Sequence, residues 1–338
     1  MIIHLVTESI FKTKGNGVNT AFIDLVGLLK EKDDVQVVVN GEGVGDVFHC
    51  HTYGPDYFLR GFRYKGNRIF TVHVIPDSIK GSLPKWKIFM PFVKWFFRKA
   101  YSYADVCIAI SPMVEQTIKD LGVTTRVVQI YNPVIVSKWK RTVQKRNEGR
   151  RMLGLSDSDF VVLGVGQLEG RKGVEDFLDI AESIPEAKFV WAGGRPFGIM
   201  TEGIMRINAR VARTNGQVKF AGMIELDKMP NIYAAADLLL FPSYQENCPL
   251  APLEAAACGM PVIFRDLKEY TLLYENEYLK ANTTPEFIAL TRKLIHDKSF
   301  YAQGLDISGK LITQFDKNKI RAKLIALYTE LSGNLKKI

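Results

Sequence analysis

Cysteine is scarce and unpatterned. Cys50, Cys107, Cys248 and Cys258 include no C-x-x-C pair, which excludes a zinc module and a disulfide scaffold. No stretch reaches the roughly 18 apolar residues that a membrane-spanning helix requires. The opening Met1–Phe11 carries His4 and Glu8 inside its apolar run, a pattern that does not suit a cleaved leader. Repeats of about 20–50 residues and low-complexity segments are missing too, so solenoids, propellers and disordered tracts drop out. What is present is ample core: hydrophobic residues make up 47% and charged residues 24% of 338 positions. That length suits two domains of about 150 residues each, in a cytosolic chain.

Negative charge is what the first half lacks. Residues 1–150 hold 22 of the 45 basic side chains and 13 of the 36 acidic ones, a net of +9, leaving 23 of each sign beyond. The excess points to a basic face that meets an anion, either a nucleic acid or a membrane surface.

Short β-branched runs alternate with helical segments almost throughout. The first half offers strands at Ile2–Thr7, Val35–Val39, Val47–His51, Ile69–Val74, Val106–Ile110 and Arg126–Ile130. The second offers Phe160–Val165, Lys188–Ala192, Val218–Phe220, Leu238–Phe241 and Pro261–Phe264. Many are apolar on both faces, as parallel strands covered by helices are. The expectation is an α/β chain of two doubly wound halves with a ligand cleft between them. The basic, unpatterned stretch 133–154 marks the boundary. It gives a domain 1–145, a domain 146–316 and a closing helix over 317–338.

The densest chemistry is Phe241-Pro-Ser-Tyr-Gln-Glu246-Asn-Cys-Pro-Leu-Ala-Pro-Leu-Glu254, running on to Cys258-Gly-Met-Pro-Val-Ile263. Glu246 falls on a loop at the carboxyl end of a parallel strand, and Glu254 in the first turns of the next helix. Two carboxylates, which only accept hydrogen bonds, can grip hydroxyls on two rings, and the helix-start N–H groups suit a phosphate between them. A polyol–diphosphate–polyol ligand, a nucleotide sugar, fits that order. A solvated loop glutamate followed by one favoured by the helix dipole fits the bare residues as well.

The wider pattern resembles retaining glycosyltransferase family 4, whose GT-B fold sets two Rossmann-like domains face to face. The E-x7-E run is joined by Gly164-Val-Gly-Gln-Leu-Glu-Gly-Arg-Lys-Gly173, Gly193-Gly194 and Ala234-Ala-Ala-Asp237. Gly15-Asn-Gly-Val18, His49-Cys-His51, Thr71-Val-His73 and Ala104-Asp-Val-Cys-Ile-Ala-Ile-Ser111 supply the matching strings in the first half. The resemblance implies roles for particular residues. Glu254 would hold the nucleotide ribose, Glu246 the donor hexose, and Lys172 the diphosphate. His73 would face the donor sugar, Gly17 would let the backbone approach a phosphate, and Asn247, Cys248, Pro249 and Leu250 would line the donor. Gln167 stands where the family commonly has Arg, so Arg171 is the candidate to replace that charge.

The implied reaction moves glucose or galactose from a UDP-sugar with retention, with no cofactor and no metal. Asp157-Ser-Asp159 reads as a turn, and His49 with His51 as packing rather than a metal pair. A G-x-G-x-x-G dehydrogenase fingerprint is not met after Gly164.

The basic, aromatic Lys85–Tyr101 segment speaks to the acceptor. Spaced as a helix, Lys87, Lys94 and Arg98 fall within about 40° of one another, with Phe89, Phe92, Val93, Phe96, Phe97 and Ala100 opposite. Pro91 is expected to start the helix proper. Such a helix suits an anionic membrane surface, and the absence of a stacking sheet argues against nucleic acid. The family strings are most similar to bacterial glycosyl-diacylglycerol synthases, which implies a glycolipid acceptor such as monoglucosyl-diacylglycerol and a peripheral place on the inner face of the cell membrane. Two alternatives stand beside it: a soluble sugar or polysaccharide acceptor, and a non-catalytic membrane-binding module.

Overall fold

The computed structural model describes residues 1–8, 17–41, 45–64, 66–80, 86–194, 204–213 and 217–335. Lys85, expected at the head of the basic helix, lies outside them, as do Gly15 and Asn16. The chain divides into one unit of residues 1–78, 87–133 and 315–338 and another of 79–86 and 134–314.

The first unit carries β1 (Ile2–Val6), β2 (Gln36–Val39), β3 (Val47–Cys50), β4 (Asn67–Val72), β5 (Val106–Ala109) and β6 (Arg126–Gln129), all parallel, in the order β2-β1-β3-β4-β5-β6. The second carries β7 (Val161–Val165), β8 (Lys188–Ala192), β9 (Val218–Gly222), β10 (Leu238–Phe241), β11 (Val262–Arg265) and β12 (Leu279–Ala281), parallel again, in the order β12-β11-β10-β7-β8-β9. That second order is the dinucleotide-binding one, reversing between β7 and β10; the first reverses between β1 and β3. Strands such as β3, β5, β10 and β11 are buried at every residue, because helices cover both faces. Phe177, from the helix after β7, sets its edge on Phe189 and Trp191 of β8 at 5.4 and 5.1 Å and anchors the second core.

All eleven expected strands form, each within two residues of its expected ends. β12 was not anticipated, and its three residues at a sheet edge explain why.

The division falls at Pro133, not at 145, and this changes the reading of charge. Residues 134–150 belong to the second unit. Arg141, Arg146 and Arg150 all turn on Asp237, just before β10, and on the carbonyls of Ala236, Ala234 and Asp159. Counted by unit, the first holds 20 basic and 14 acidic residues, leaving 25 and 22 for the second. Three arginines of the apparent basic face are therefore engaged in an internal clamp, and the first unit keeps a net +6.

The helix Trp86–Ser102 also departs from expectation. Pro91 sits inside it rather than at its start. The bond its missing N–H would give to the Lys87 carbonyl is forgone, and its ring is exposed. Phe97, Ala100 and Tyr101 are buried, whereas Ile88, Phe92 and Trp95 are 70%, 64% and 54% exposed. The aromatics thus split between a core face and an outer strip.

The closing helix Lys317–Leu335 packs within the first unit. Tyr328 reaches β3, Asn67 bonds the Leu331 carbonyl at 2.7 Å, and Lys317 and Arg321 hold Glu31.

Candidate active site

In the second unit, the loops after β7 and β10 leave at the reversal of strand order, the place where such sheets open a crevice. After β7 the chain makes a turn at Gly170–Lys172 and enters the helix Val174–Ser183. After β10 it runs through Pro242–Pro249 into the helix Leu250–Ala257. The two loops are joined: the Tyr244 N–H donates to the Arg171 carbonyl at 2.8 Å, and Ser243 Oγ lies 3.2 Å from the same oxygen.

This brings Lys172 and Glu246 together. Lys172 Nζ lies 2.5 Å from Glu246 Oε1, and Ser243 Oγ donates to that oxygen at 2.7 Å. Both side chains are largely buried. Burial pulls the Lys172 ammonium below its ordinary pKa, against the pull of Glu246. For Glu246, burial works to raise the carboxyl, but the charges of Lys172 and Arg171 outweigh it and hold it low. The result is a buried ion pair at the mouth of a parallel sheet. Arg171 donates to the Gln245 carbonyl at 3.1 Å and pairs with buried Glu169 at 3.4 Å.

Glu254, eight residues on, is 8% exposed and accepts from the Tyr233 hydroxyl at 2.6 Å. Both glutamates are buried, so the solvated loop glutamate is not what the structure contains. Asn247 Oδ1 accepts from Gln245 Nε2 at 2.9 Å, Cys248 is buried, Pro249 occupies the N-cap, and Leu250 opens the helix. Pro249 gives that helix no side-chain cap.

Gly173, between the turn and its helix, has φ of 71°, and an added Cβ would overlap the Pro242 carbonyl. Gly173→Ala should lower stability by at least about 2 kcal/mol, since strained backbone and overpacking add. Urea unfolding checks it; an unchanged midpoint would mean that the two loops are not in this contact.

The first unit gathers histidines at the carboxyl ends of β3 and β4. His49 is fully buried between the Tyr328 hydroxyl at 2.7 Å and Thr71 Oγ1 at 2.6 Å. His51 Nδ1 lies 2.9 Å from His73 Nε2, with the rings stacked. Burial holds all three neutral, with His49 lowered to about 3 and His73 to about 4. Gly17 opens the helix Gly17–Lys30, where an added Cβ would meet nothing within 4 Å.

Among the described residues, no group of three His, Cys, Asp or Glu is placed to hold a metal ion. Asp157 and Asp159 lie on a turn, where Asp159 caps the Ser156 N–H at 2.6 Å. Tyr233, Ser243 and Arg265 were missed from sequence. Tyr233 stands one residue before the Ala-Ala-Ala-Asp string, and only its position in space ties it to Glu254.

Over 98% of the chain, and all of its partner, the structure matches the crystal structure of Anabaena HepE in complex with UDP-glucose, with a TM-score of 0.77 at 18% identity. Two Rossmann-like units on this plan define the GT-B fold of glycosyltransferases. Residues 159–297 match the model of glycosyl transferases group 1, and 45–138 that of Glycosyltransferase Family 4. The Streptococcus pneumoniae alpha-galactosylglucosyldiacylglycerol synthase is 36% identical over 79% of this chain and 73% of its own length. The Acholeplasma laidlawii processive diacylglycerol alpha-glucosyltransferase is 24% identical over 94% of this chain and 95% of its own. The chain belongs to the family 4 glycosyltransferases and is a glycosyltransferase itself.

Proposed function

We propose that this enzyme moves glucose or galactose from a UDP-sugar to a diacylglycerol glycolipid, with retention, at an anionic membrane surface. The observation that carries the reading is the buried Lys172–Glu246 pair at the reversal of the β7/β10 order, with buried Glu254 on the next helix. Support for donor and acceptor comes from the UDP-glucose held by HepE and from the two diacylglycerol-directed relatives.

In this reading Glu254 takes the ribose hydroxyls and Glu246 the hexose. Lys172, Arg171 and the uncapped N–H groups that open the Leu250–Ala257 helix hold the diphosphate. Asn247, Cys248, Pro249 and Leu250 flank it. From the first unit, Gly17 offers open backbone, and His73 acts as a neutral hydrogen-bonding imidazole. As the anomeric C–O bond to phosphate breaks, charge builds on the diphosphate, where the fixed cations stabilise it. The acceptor oxygen bonds to the same face, and its proton passes to the departing phosphate oxygen. No step requires a cofactor or a metal.

The lipid acceptor draws on the helix Trp86–Ser102. Its outer strip of Ile88, Phe89, Phe92 and Trp95 lies beside Lys87, Lys94 and Arg98, as an interfacial helix requires. Phe58, on the neighbouring helix Pro55–Arg63, contacts Phe96, and Leu59 and Phe62 there are exposed as well. No helix among the described residues is long and apolar enough to cross a membrane. This reading places the enzyme peripherally on the inner face of the cell membrane, through the outer strip of that helix. Nucleic acid has no place in this reading.

Transfer from UDP-glucose and, separately, UDP-galactose to monoglucosyl-diacylglycerol in mixed micelles tests the proposal. An α-linked lipid product, stimulated by anionic phospholipid, supports it. Donor hydrolysis with product only on soluble sugars would sink the glycolipid acceptor. Phe92→Ser with Trp95→Ser should cut binding to anionic vesicles at least about tenfold while moving stability by less than about 1 kcal/mol, both sites being exposed. Unchanged vesicle binding would exclude this helix as the anchor.

A further inference from the structure

We propose that Arg265 and Tyr244 lock the Glu246 loop in register for the donor hexose, a positioning role that rests on the transferase reading. Arg265 ends β11, the neighbour of β10, and is 7% exposed. Its Nε donates to the Pro242 carbonyl at 3.0 Å and its Nη1 to the Asn282 carbonyl at 2.7 Å. Its Nη2 stands 3.3 Å from Asp176 Oδ1, on the helix that follows Lys172. The guanidinium lies 3.9 Å from the centre of the Tyr244 ring, whose hydroxyl donates to the same Asp176 oxygen at 3.1 Å.

One cation therefore ties four segments: the end of β11, Asn282 just past β12, the first turn of the Val174–Ser183 helix, and the Pro242–Tyr244 stretch. Pro242 and Tyr244 flank Ser243, whose hydroxyl holds Glu246. A planar guanidinium can bond in three directions and still stack on a ring. A lysine ammonium in its place keeps the charge and loses that fork. Tyr244 is half exposed, so its ring lies over Arg265 from the solvent side and adds little to the core. The arrangement fixes a loop without touching the Lys172–Glu246 pair.

Arg265→Lys and Tyr244→Ala test the lock through kcat, KM for the UDP-hexose, the Kd of UDP, and hydrogen exchange at the Tyr244 amide. UDP lacks the hexose that Glu246 would read, so its affinity separates positioning from general damage. Because misplacement by about 1 Å costs on the order of 100-fold, kcat should fall about 10- to 100-fold, with UDP affinity within about threefold of the parent. The Tyr244 amide, bonded to the Arg171 carbonyl, should exchange faster by at least about tenfold once the loop is released. Tyr244→Phe keeps the stacked ring and should recover most of the turnover.

Unchanged kcat with unchanged exchange would overturn the lock. So would UDP affinity falling in step with kcat, the mark of a structural residue. A parent enzyme inactive on every UDP-hexose, with exchange still faster in the variants, would sink the transferase reading and leave the lock standing. If Arg265→Lys does not fold, Tyr244→Ala, at a half-exposed site, carries the same readouts.

Discussion

Glu246→Gln should fold, bind UDP within about threefold of the parent, and lose about 10²–10³ in kcat. The substitution keeps the shape of the side chain and the bond from Ser243, so the loss is one of charge. Two consequences follow from the geometry. The donor hexose meets an amide in place of an acceptor-only carboxylate. Lys172, 2.5 Å away in the parent, loses the larger of the two charges, Glu246 and Glu169, that raise its pKa against burial and against Arg171. Its ammonium then sheds its proton more readily in the unliganded enzyme. Breaking a buried pair from one side typically costs about 3–5 kcal/mol, and deprotonation of Lys172 relieves part of it. The melting temperature should therefore drop, and Lys172→Met combined with Glu246→Gln should restore it without restoring turnover. Glu254→Gln, aimed at the ribose, should instead weaken UDP itself. Full turnover in Glu246→Gln would remove this residue from the site. Unchanged vesicle binding beside lost turnover would set aside the non-catalytic binding module.

The architecture was legible because parallel strands buried on both faces read as continuous β-branched runs, and many of the eleven strands read from the sequence are of this kind. β12 escaped because Leu279-Lys-Ala281 is too short to show a pattern. The boundary escaped for a different reason. Residues 134–150 look like a solvated basic linker, yet three of their arginines are committed to Asp237, a partner about ninety positions away. The Glu246 and Glu254 spacing was visible; what holds each was not. Lys172 is 74 positions from Glu246, Tyr233 is 21 from Glu254, and Arg265 is 23 from the carbonyl it holds. Periodicity reports which face a side chain takes, and these contacts depend on which strands become neighbours. The aromatic helix shows the same limit. Its helical spacing was readable, but the division between Phe97 in the core and Phe92 outside depends on where the helix docks.

Acid should unfold this protein steeply from pH 6.5 downward, before its carboxylates titrate. His49, His51 and His73 are buried as neutral rings, with folded pKa values of about 3 for His49, well below 6.5 for His51, and about 4 for His73. Burial is the first cause at each, and the mutual repulsion of the rings adds to it at His49 and His51. His4 is lowered as well, again by burial. In the unfolded chain all four take up protons near pH 6.5. A lowered folded value means that the unfolded state holds more protons than the folded one between that pH and the folded pKa. Their stabilisation is thus complete above pH 6.5 and drains as pH falls toward 4. Each of the three central histidines contributes up to about 1.4 kcal/mol per pH unit in that window, together about 4 kcal/mol. Domains of this kind hold about 5–15 kcal/mol in all, so one pH unit is a large share. Glu246 cannot account for such a loss. Its carboxyl is held low, and its contribution drains only below the ordinary 4.5. Urea unfolding at pH 8, 6.5, 5.5 and 5 gives the slope directly. It should be near zero at the alkaline end and approach three protons between pH 6 and 5. His49→Gln, which has an amide to offer Thr71 and Tyr328, should flatten that slope by about one proton. A slope of one proton or less in the parent would mean that these rings are not buried together as neutral groups.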